Sequence, residues 1–183
     1  MAFRIETARL RVRSWEAADR PAFERFAADA EMMRYINGGR GWDTTRIDGW
    51  LARQAQNLAR HGCCMGAVVL KQTGEVIGVG GIQPLEQAGI FEIGWWIWKD
   101  YWNRGLATEM ARGFVAYAFN IMQLPQVVAL VDPPNLASIR VAEKLGMAYR
   151  GIRNAHELAE RYPDIEVAGY VLERSGKTGD AGR

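Results

Sequence analysis

Phe91-Glu92-Ile93-Gly94-Trp95-Trp96-Ile97-Trp98-Lys99-Asp100-Tyr101-Trp102-Asn103-Arg104-Gly105-Leu106-Ala107-Thr108-Glu109 reads as an apolar strand that passes through a tight turn straight into a helix. The first N–H groups of a helix have no intrahelical partner, and together with the helix dipole they form an anion site. Small residues at Gly105 and Ala107 would let a diphosphate reach the backbone. The same residues also suit a plain packing turn, and physics alone leaves both readings open. The turn has neither a full Gly-x-Gly-x-x-Gly nor a Lys-Ser/Thr ending, so dinucleotide-fingerprint and P-loop readings are weak.

Upstream, alternation over Leu10–Trp15 predicts a half-buried strand. Ala17–Ala30 predicts a helix that buries Phe23 and Phe26, with Pro21 tolerated in its first turn. Met32, Met33, Tyr35 and Ile36 continue that surface until Asn37-Gly38-Gly39-Arg40-Gly41 breaks the chain. Asp43 or Thr44 caps a second helix, with Ile47, Trp50, Leu51, Gln54 and Leu58 at helical spacing and His61-Gly62 at its end. Met65–Leu70 and Val76–Ile82 pair across the turn Lys71–Glu75, and Ile90–Trp98 is a third strand.

Downstream, Leu106, Met110, Phe114, Ala118 and Ile121 mark one face of a long helix. Gln126–Val131 is a short strand, and Asn135–Leu145 a short helix closed by Gly146. Ala148–Ile152 and Glu166–Leu172 complete the sheet. The order is β-α-α-β-β-β-α-β-α-β-β, one α/β domain over residues 1–174, with 175–183 a frayed tail.

Composition narrows the function classes. The 183 residues suit one domain, and 49% hydrophobic with 24% charged residues is the balance of a soluble globular protein. A chain this long buries roughly 70% of its unfolded surface, enough for a core without staples. A net charge of +2 argues against a dedicated nucleic-acid module. No apolar run approaches the ~20 residues of a membrane span, and the opening residues lack a signal core. Cys63 and Cys64, the only cysteines, are adjacent, which disfavours a disulfide; with two His they make a poor zinc set. The expectation is a cytoplasmic, metal-free protein whose cysteines belong to the core.

A second constellation follows about thirty residues on: Asn135-Leu136-Ala137-Ser138-Ile139-Arg140-Val141-Ala142-Glu143-Lys144-Leu145-Gly146-Met147. Asn135 is a good helix N-cap and Ser138 its N3 residue, so both have a purely structural reading. Taken together, Tyr101-Trp-x-Arg-Gly-Leu-Ala-Thr-Glu109 and Asn135-x-x-Ser-Ile-Arg-Val-x-Glu-Lys-Leu-Gly-Met147 resemble the GNAT superfamily of acyl-CoA-dependent N-acetyltransferases. The nearest branch is that of the ribosomal-protein N-terminal acetyltransferases. Glu6–Arg13 and Tyr170–Leu172 are similar too, so the resemblance covers roughly residues 6–172.

The resemblance implies a mixed, largely antiparallel twisted sheet of about seven strands flanked by four helices. It implies that the backbone of Asn103, Arg104, Gly105, Leu106, Ala107 and Thr108 wraps the pyrophosphate of acetyl-CoA, the co-substrate. Trp102 departs from the Gln or Arg of the pattern; because the contacts are from backbone, binding should survive. The edge near Ile97 and Trp98 would hydrogen-bond the pantetheine as an added strand, with Asn135 beside that arm and Ser138 near the thiol.

Direct attack of an amine on the thioester needs a base, an oxyanion stabiliser and a proton donor for the thiolate. Glu92 lies on the strand before the phosphate loop, where many relatives place a base, so the resemblance implies it as the candidate base, against a reading as a solvated or hydrogen-bonded strand carboxylate. The family's tyrosine acid would fall at Ala142, which cannot serve; in the ribosomal-protein branch a serine at the Asn-x-x-Ser position can take that part, and the resemblance thereby implies Ser138 as the candidate acid. His156 is a second candidate base or a surface loop residue. Trp95, Trp96 and Trp98 alternate faces, so one set is core against the long helix. Acceptor specificity is expected around Met32–Trp42 and Trp50.

The leading reading is an acetyl-CoA-dependent N-acetyltransferase acting on a protein N-terminus or a small amine. The alternative is a sensor or assembly module that binds acyl-CoA without turnover, kept open by Ala142. Nucleic-acid binding through Arg140, Arg150 and Arg153 is a third reading, and those arginines could equally meet the 3′-phosphate of coenzyme A. The resemblance also implies homodimerisation.

Overall fold

Strands and helices alternate in a computed structural model that describes residues 3–36 and 39–174. In chain order they are β1 (Arg4–Glu6), β2 (Leu10–Arg13), α1 (Arg20–Ala28), α2 (Ala30–Met33), α3 (Thr44–His61), β3 (Met65–Leu70) and β4 (Val76–Leu85). Then follow β5 (Ile90–Ile97), α4 (Leu106–Asn120), β6 (Gln126–Val131), α5 (Leu136–Lys144), β7 (Ala148–Asn154), α6 (Ala155–Leu158) and β8 (Glu166–Glu173). Part of the predicted chain break, Asn37 and Gly38, and the predicted tail at 175–183 lie outside the described residues.

Among the described residues there are eight strands and six α-helices, against the expected seven and four. The additions are short elements that carry too few residues to show a period. β1 is a three-residue strand paired antiparallel to β2. The helix expected over Ala17–Ala30 is a 3-10 turn at Ala17–Asp19 followed by α1, with Pro21 in its first turn. Asp29 then turns extended, and its carboxylate accepts from the amides of Glu31 and Met32 at 2.9 and 3.1 Å, which starts α2. Asn154 caps α6 in the same way through the amide of His156. Asp43 caps α3 and Gly62 ends it. Ile121, expected on the buried face of α4, is 66% exposed because the helix stops at Asn120.

The sheet order is β1-β2-β3-β4-β5-β6-β8-β7, with every neighbouring pair antiparallel except β5 and β6. That parallel pair registers at one position, Glu92 opposite Val128. β5 continues from there to Ile97 and β6 to Val131, so the sheet parts in its middle just beyond Glu92.

Helix α4 closes one face. Met110 and Phe114 press so closely on β4 that a Cβ on Gly80 would lie 2.7 Å from the Met110 sulfur and 2.9 Å from the Phe114 ring. Trp95 and Ile97 of β5 join this core, as do the buried Cys63 and Cys64. Burial pushes both thiols up to about 12, and the neighbouring Cys63 adds to the rise at Cys64. On the opposite face, α1, α2 and α3 bury Phe23, Phe26, Met33, Ile47 and Trp50 against Met65, Val79 and Trp98, with Trp96 packed beside them. Each fully buried Phe contributes about 1.5–3 kcal/mol. The alternation of β5 therefore divides its tryptophans between two cores, as its sequence predicts.

Candidate active site

The turn between β5 and α4 leaves its amides free of side-chain caps. Gly105 is the N-cap with φ 73° and ψ 5°, and the first intrahelical bond runs from the Glu109 amide to the Gly105 carbonyl at 3.0 Å. The N–H groups of Leu106, Ala107 and Thr108 thus lack helical partners and lie at the positive end of the helix dipole. A Cβ at Gly105 would meet only the Arg9 guanidinium, at 3.7 Å. Its glycine is required by left-handed backbone more than by lack of space. Asn103, with φ 59°, is also left-handed, a conformation that asparagine tolerates.

Glu109 braces this turn from below. It accepts from the Thr7 hydroxyl at 2.6 Å, the Arg9 amide at 2.8 Å and the Arg9 guanidinium at 2.7 Å. Burial would raise its carboxyl, but those three donors outweigh burial and hold it below the ordinary carboxylate range. Arg9 also donates to the Arg104 carbonyl at 3.0 Å.

The parted edge of β5 faces this loop. The Trp98 amide donates to Ile77 of β4, and the Trp96 carbonyl also points toward β4. By alternation the backbone groups of Ile97 point into the gap, whereas the amide of Trp98 does not, which removes it from the expected edge. The Ile97 carbonyl already accepts the indole N–H of Trp102 at 2.6 Å. Trp102, 44% exposed, thus fills with a side-chain donor part of the edge that a pantetheine amide would use.

Glu92 stands where the gap begins, 7% exposed. Its cross-strand partner Gln83 donates to Glu92 Oε2 at 2.9 Å, and the Tyr162 hydroxyl donates to the same oxygen. Gln83 also reaches the Tyr162 hydroxyl, at 2.8 Å. Burial pushes the Glu92 carboxyl above the ordinary carboxylate range; the bonds from Tyr162 and Gln83 and the charge of Arg161 pull the other way without cancelling it. Burial, and then the neighbouring Glu92, push the Tyr162 phenol well above its usual range.

Asn135 caps α5 by accepting the Ser138 amide at 3.1 Å. Its structural role is therefore realised, and it sets the half-buried Ser138 one turn into the helix. Ala142 is fully buried. His156 is exposed in the first turn of α6, where its Nδ1 lies 3.0 Å from the Tyr162 carbonyl. It makes no hydrogen bond to Glu92, whose partners are Gln83 and Tyr162; its contact is with the backbone of the loop that carries Tyr162.

Above Glu92 lies an open cavity of about 370 Å³. Tyr35, Trp42, Trp50 and Trp96 form its aromatic wall; of the Met32–Trp42 segment, Tyr35, Ile36 and Trp42 line it. Arg46, Arg53 and Arg161 also line it, with Asp132, whose carboxyl is raised by burial. Arg161 is held by Glu86 and by the Pro84 carbonyl at 2.7 Å.

Gln83, Tyr162, Arg161, Arg53 and Asp132 were not among the candidates read from the sequence. Gln83 was within reach, since a β4–β5 turn at Glu86–Gly89 places it opposite Glu92. Tyr162 and Arg161 sit in an irregular loop with no periodic signal.

The sequence family described as acetyltransferase (GNAT) domain matches residues 9–148. YkkB, an uncharacterized protein of Bacillus subtilis, is 36% identical over 149 residues, covering 80% of this chain and 86% of that one. The uncharacterized N-acetyltransferase p20 of Bacillus licheniformis is 27% identical over 158 residues, covering 85% and 88%. The crystal structure of an acetyltransferase from Agrobacterium tumefaciens superposes with a TM-score of 0.78 at 29% identity, covering 94% of this chain and 95% of that one.

Proposed function

The chain belongs to the acetyltransferase (GNAT) domain family, and from that premise we propose that it moves an acetyl group from acetyl-CoA to an acceptor amine by direct attack on the thioester. The residues present fit the co-substrate: an uncapped helix N-terminus at Leu106–Thr108 and a parted sheet edge at Ile97 lead toward Glu92. The single observation that carries the reading is the position of Glu92, a buried carboxylate where the gap in the sheet meets the aromatic cavity.

Bound acetyl-CoA supplies the activated acetyl thioester. The amides of Asn103 to Thr108 hold its diphosphate, and Asn135 lies beside the pantetheine arm. Glu92 accepts the proton of the acceptor ammonium, a task suited to a carboxylate raised toward neutrality. Gln83 and Tyr162 fix Glu92 in one orientation. Ser138 would hydrogen-bond the departing thiolate and pass it a proton that the hydroxyl recovers from solvent. The acceptor is a small amine or a peptide N-terminus entering from the aromatic cavity. The protein acts in the cytoplasm, and its homodimerisation is read by light scattering.

The test is titration calorimetry with acetyl-CoA, coenzyme A and dephospho-CoA, beside a thiol-release assay over amines and peptides. Micromolar binding with amine-dependent thiol release supports the reading, and no binding at all sinks the phosphate-loop argument. Ala142, where the family's tyrosine would stand, favours a second reading as an acyl-CoA-binding sensor. Binding without release from any amine would be its signature.

A further inference from the structure

The polar groups of the cavity are unequally satisfied. Its carboxyls come from the sheet, Glu92 on β5 and Asp132 just past β6. Gln83 on β4 and Tyr162 spend their donors on Glu92, and Arg161, although its Nε is unpartnered, is paired with Glu86. Arg53, on α3, has its Nε buried with no hydrogen-bond partner, and the Trp42 indole N–H just before α3 is buried and unpartnered too. Among the described residues neither Arg46 nor Arg53 makes an ion pair, whereas Arg161 is neutralised by Glu86. Arg46 is exposed and lies over the Trp42 ring at 5.2 Å. The strongest unmet demand in the cavity is therefore for an acceptor at Arg53.

Burial depresses the Arg53 guanidinium, and the nearby Arg161 depresses it further. A half-buried cation without a counter-charge is costly, and a carboxylate arriving as a charge-assisted partner relieves that cost. Arginine presents a planar fork matched to carboxylate oxygens. The indoles of Trp42, Trp50 and Trp96 offer an apolar surface beside these polar groups. At about 370 Å³ the space suits a small molecule, near the lower end of ligand pockets at roughly 300–1,000 Å³.

We infer that the acceptor is a small zwitterion, an amine with an apolar or aromatic body and a carboxylate, whose acid group pairs with Arg53 while its ammonium meets Glu92. The inference rests on the transferase reading. It selects among the amines that reading admits. Polyamines and other polycations are disfavoured by three arginines in the wall. A peptide N-terminus brings an amide in place of the carboxylate and leaves Arg53 without its partner.

The experiment titrates L-phenylalanine, L-tryptophan and L-leucine, each against its own carboxamide, into the full chain saturated with coenzyme A. The same pairs, with spermidine and a phenylalanine-initiated peptide, are then followed by thiol release from acetyl-CoA. At least one free amino acid is expected to bind, and to give a kcat/KM, at least tenfold better than its carboxamide. Arg53→Gln should reduce that preference to within twofold, and Arg53→Lys should keep part of it. Acetyl-CoA titration of both variants checks that they fold. Equal or better performance by the carboxamides, the peptide or spermidine overturns the inference, as does a preference that survives Arg53→Gln or an absence of acid-selective binding. Acid-selective binding without thiol release supports the anion site and counts against the transferase instead, so the two failures are separable.

Discussion

Glu92 is a carboxylate whose neighbours disagree about its charge. Its folded pKa lies above the ordinary value because burial outweighs the bonds from Tyr162 and Gln83. The folded protein therefore holds this proton more tightly than the unfolded chain. The cost of burying the charge is absent below the ordinary carboxylate pKa and complete once pH passes the folded one. A base must be empty to act, so kcat/KM should climb with pH along a limb placed above the ordinary carboxylate range. Glu92→Gln should remove that limb and lower kcat by about 10²–10⁴-fold. In the same pH-rate measurement, Tyr162→Phe should move the limb to higher pH, since the lost hydroxyl favoured the charged carboxylate. A limb unmoved by Tyr162→Phe would deny Tyr162 its positioning role.

Single elements were unequally legible. β3 and β6 have the bounds read from Met65–Leu70 and Gln126–Val131, because short apolar runs flanked by turn residues leave little choice. Glu92 and the loop Asn103–Thr108 could be named because they fall at positions of a strand-turn-helix motif that resembles the family's, the physics of the turn alone leaving its role open. Tyr162 could not, since it meets Glu92 across 70 residues through a loop pinned by Arg161 to Glu86 and Pro84. The long helix expected over Ala17–Ala30 was misread because Asp29 prefers to cap a new turn. Asn135 remained double-valued, and its two roles separate experimentally. Asn135→Asp keeps the cap and should leave Tm nearly unchanged, whereas Asn135→Ala should cost about 1 kcal/mol, or roughly 2–4 °C. If the carboxamide also touches the co-substrate, both variants raise the KM for acetyl-CoA; a rise in the alanine variant alone would leave Asn135 a cap.

Across the whole molecule, the site is assembled from distant parts around one defect in the sheet. β5 belongs to one antiparallel half of the sheet and β6 to the other, and they share a single registered position. Ligand bound in that gap should tie the halves together. At one hundred times its Kd, coenzyme A should stabilise the fold by about 2.7 kcal/mol, read as a Tm increase of roughly 5–10 °C. No helix among the described residues is long and apolar enough to cross a membrane.

The brace under the phosphate turn makes the beginning of the chain a strut of the far side of the domain. The backbone amide of Arg9 is bonded to a carboxylate 100 residues away, directly beneath Gly105. Its deuterium uptake should therefore slow when the loop is filled, although Arg9 precedes the loop by about half of the 183-residue chain. A residue near the first turn of the polypeptide becomes a spectator that reports occupancy, and trimming the chain back past Thr7 would loosen a binding site assembled from its middle.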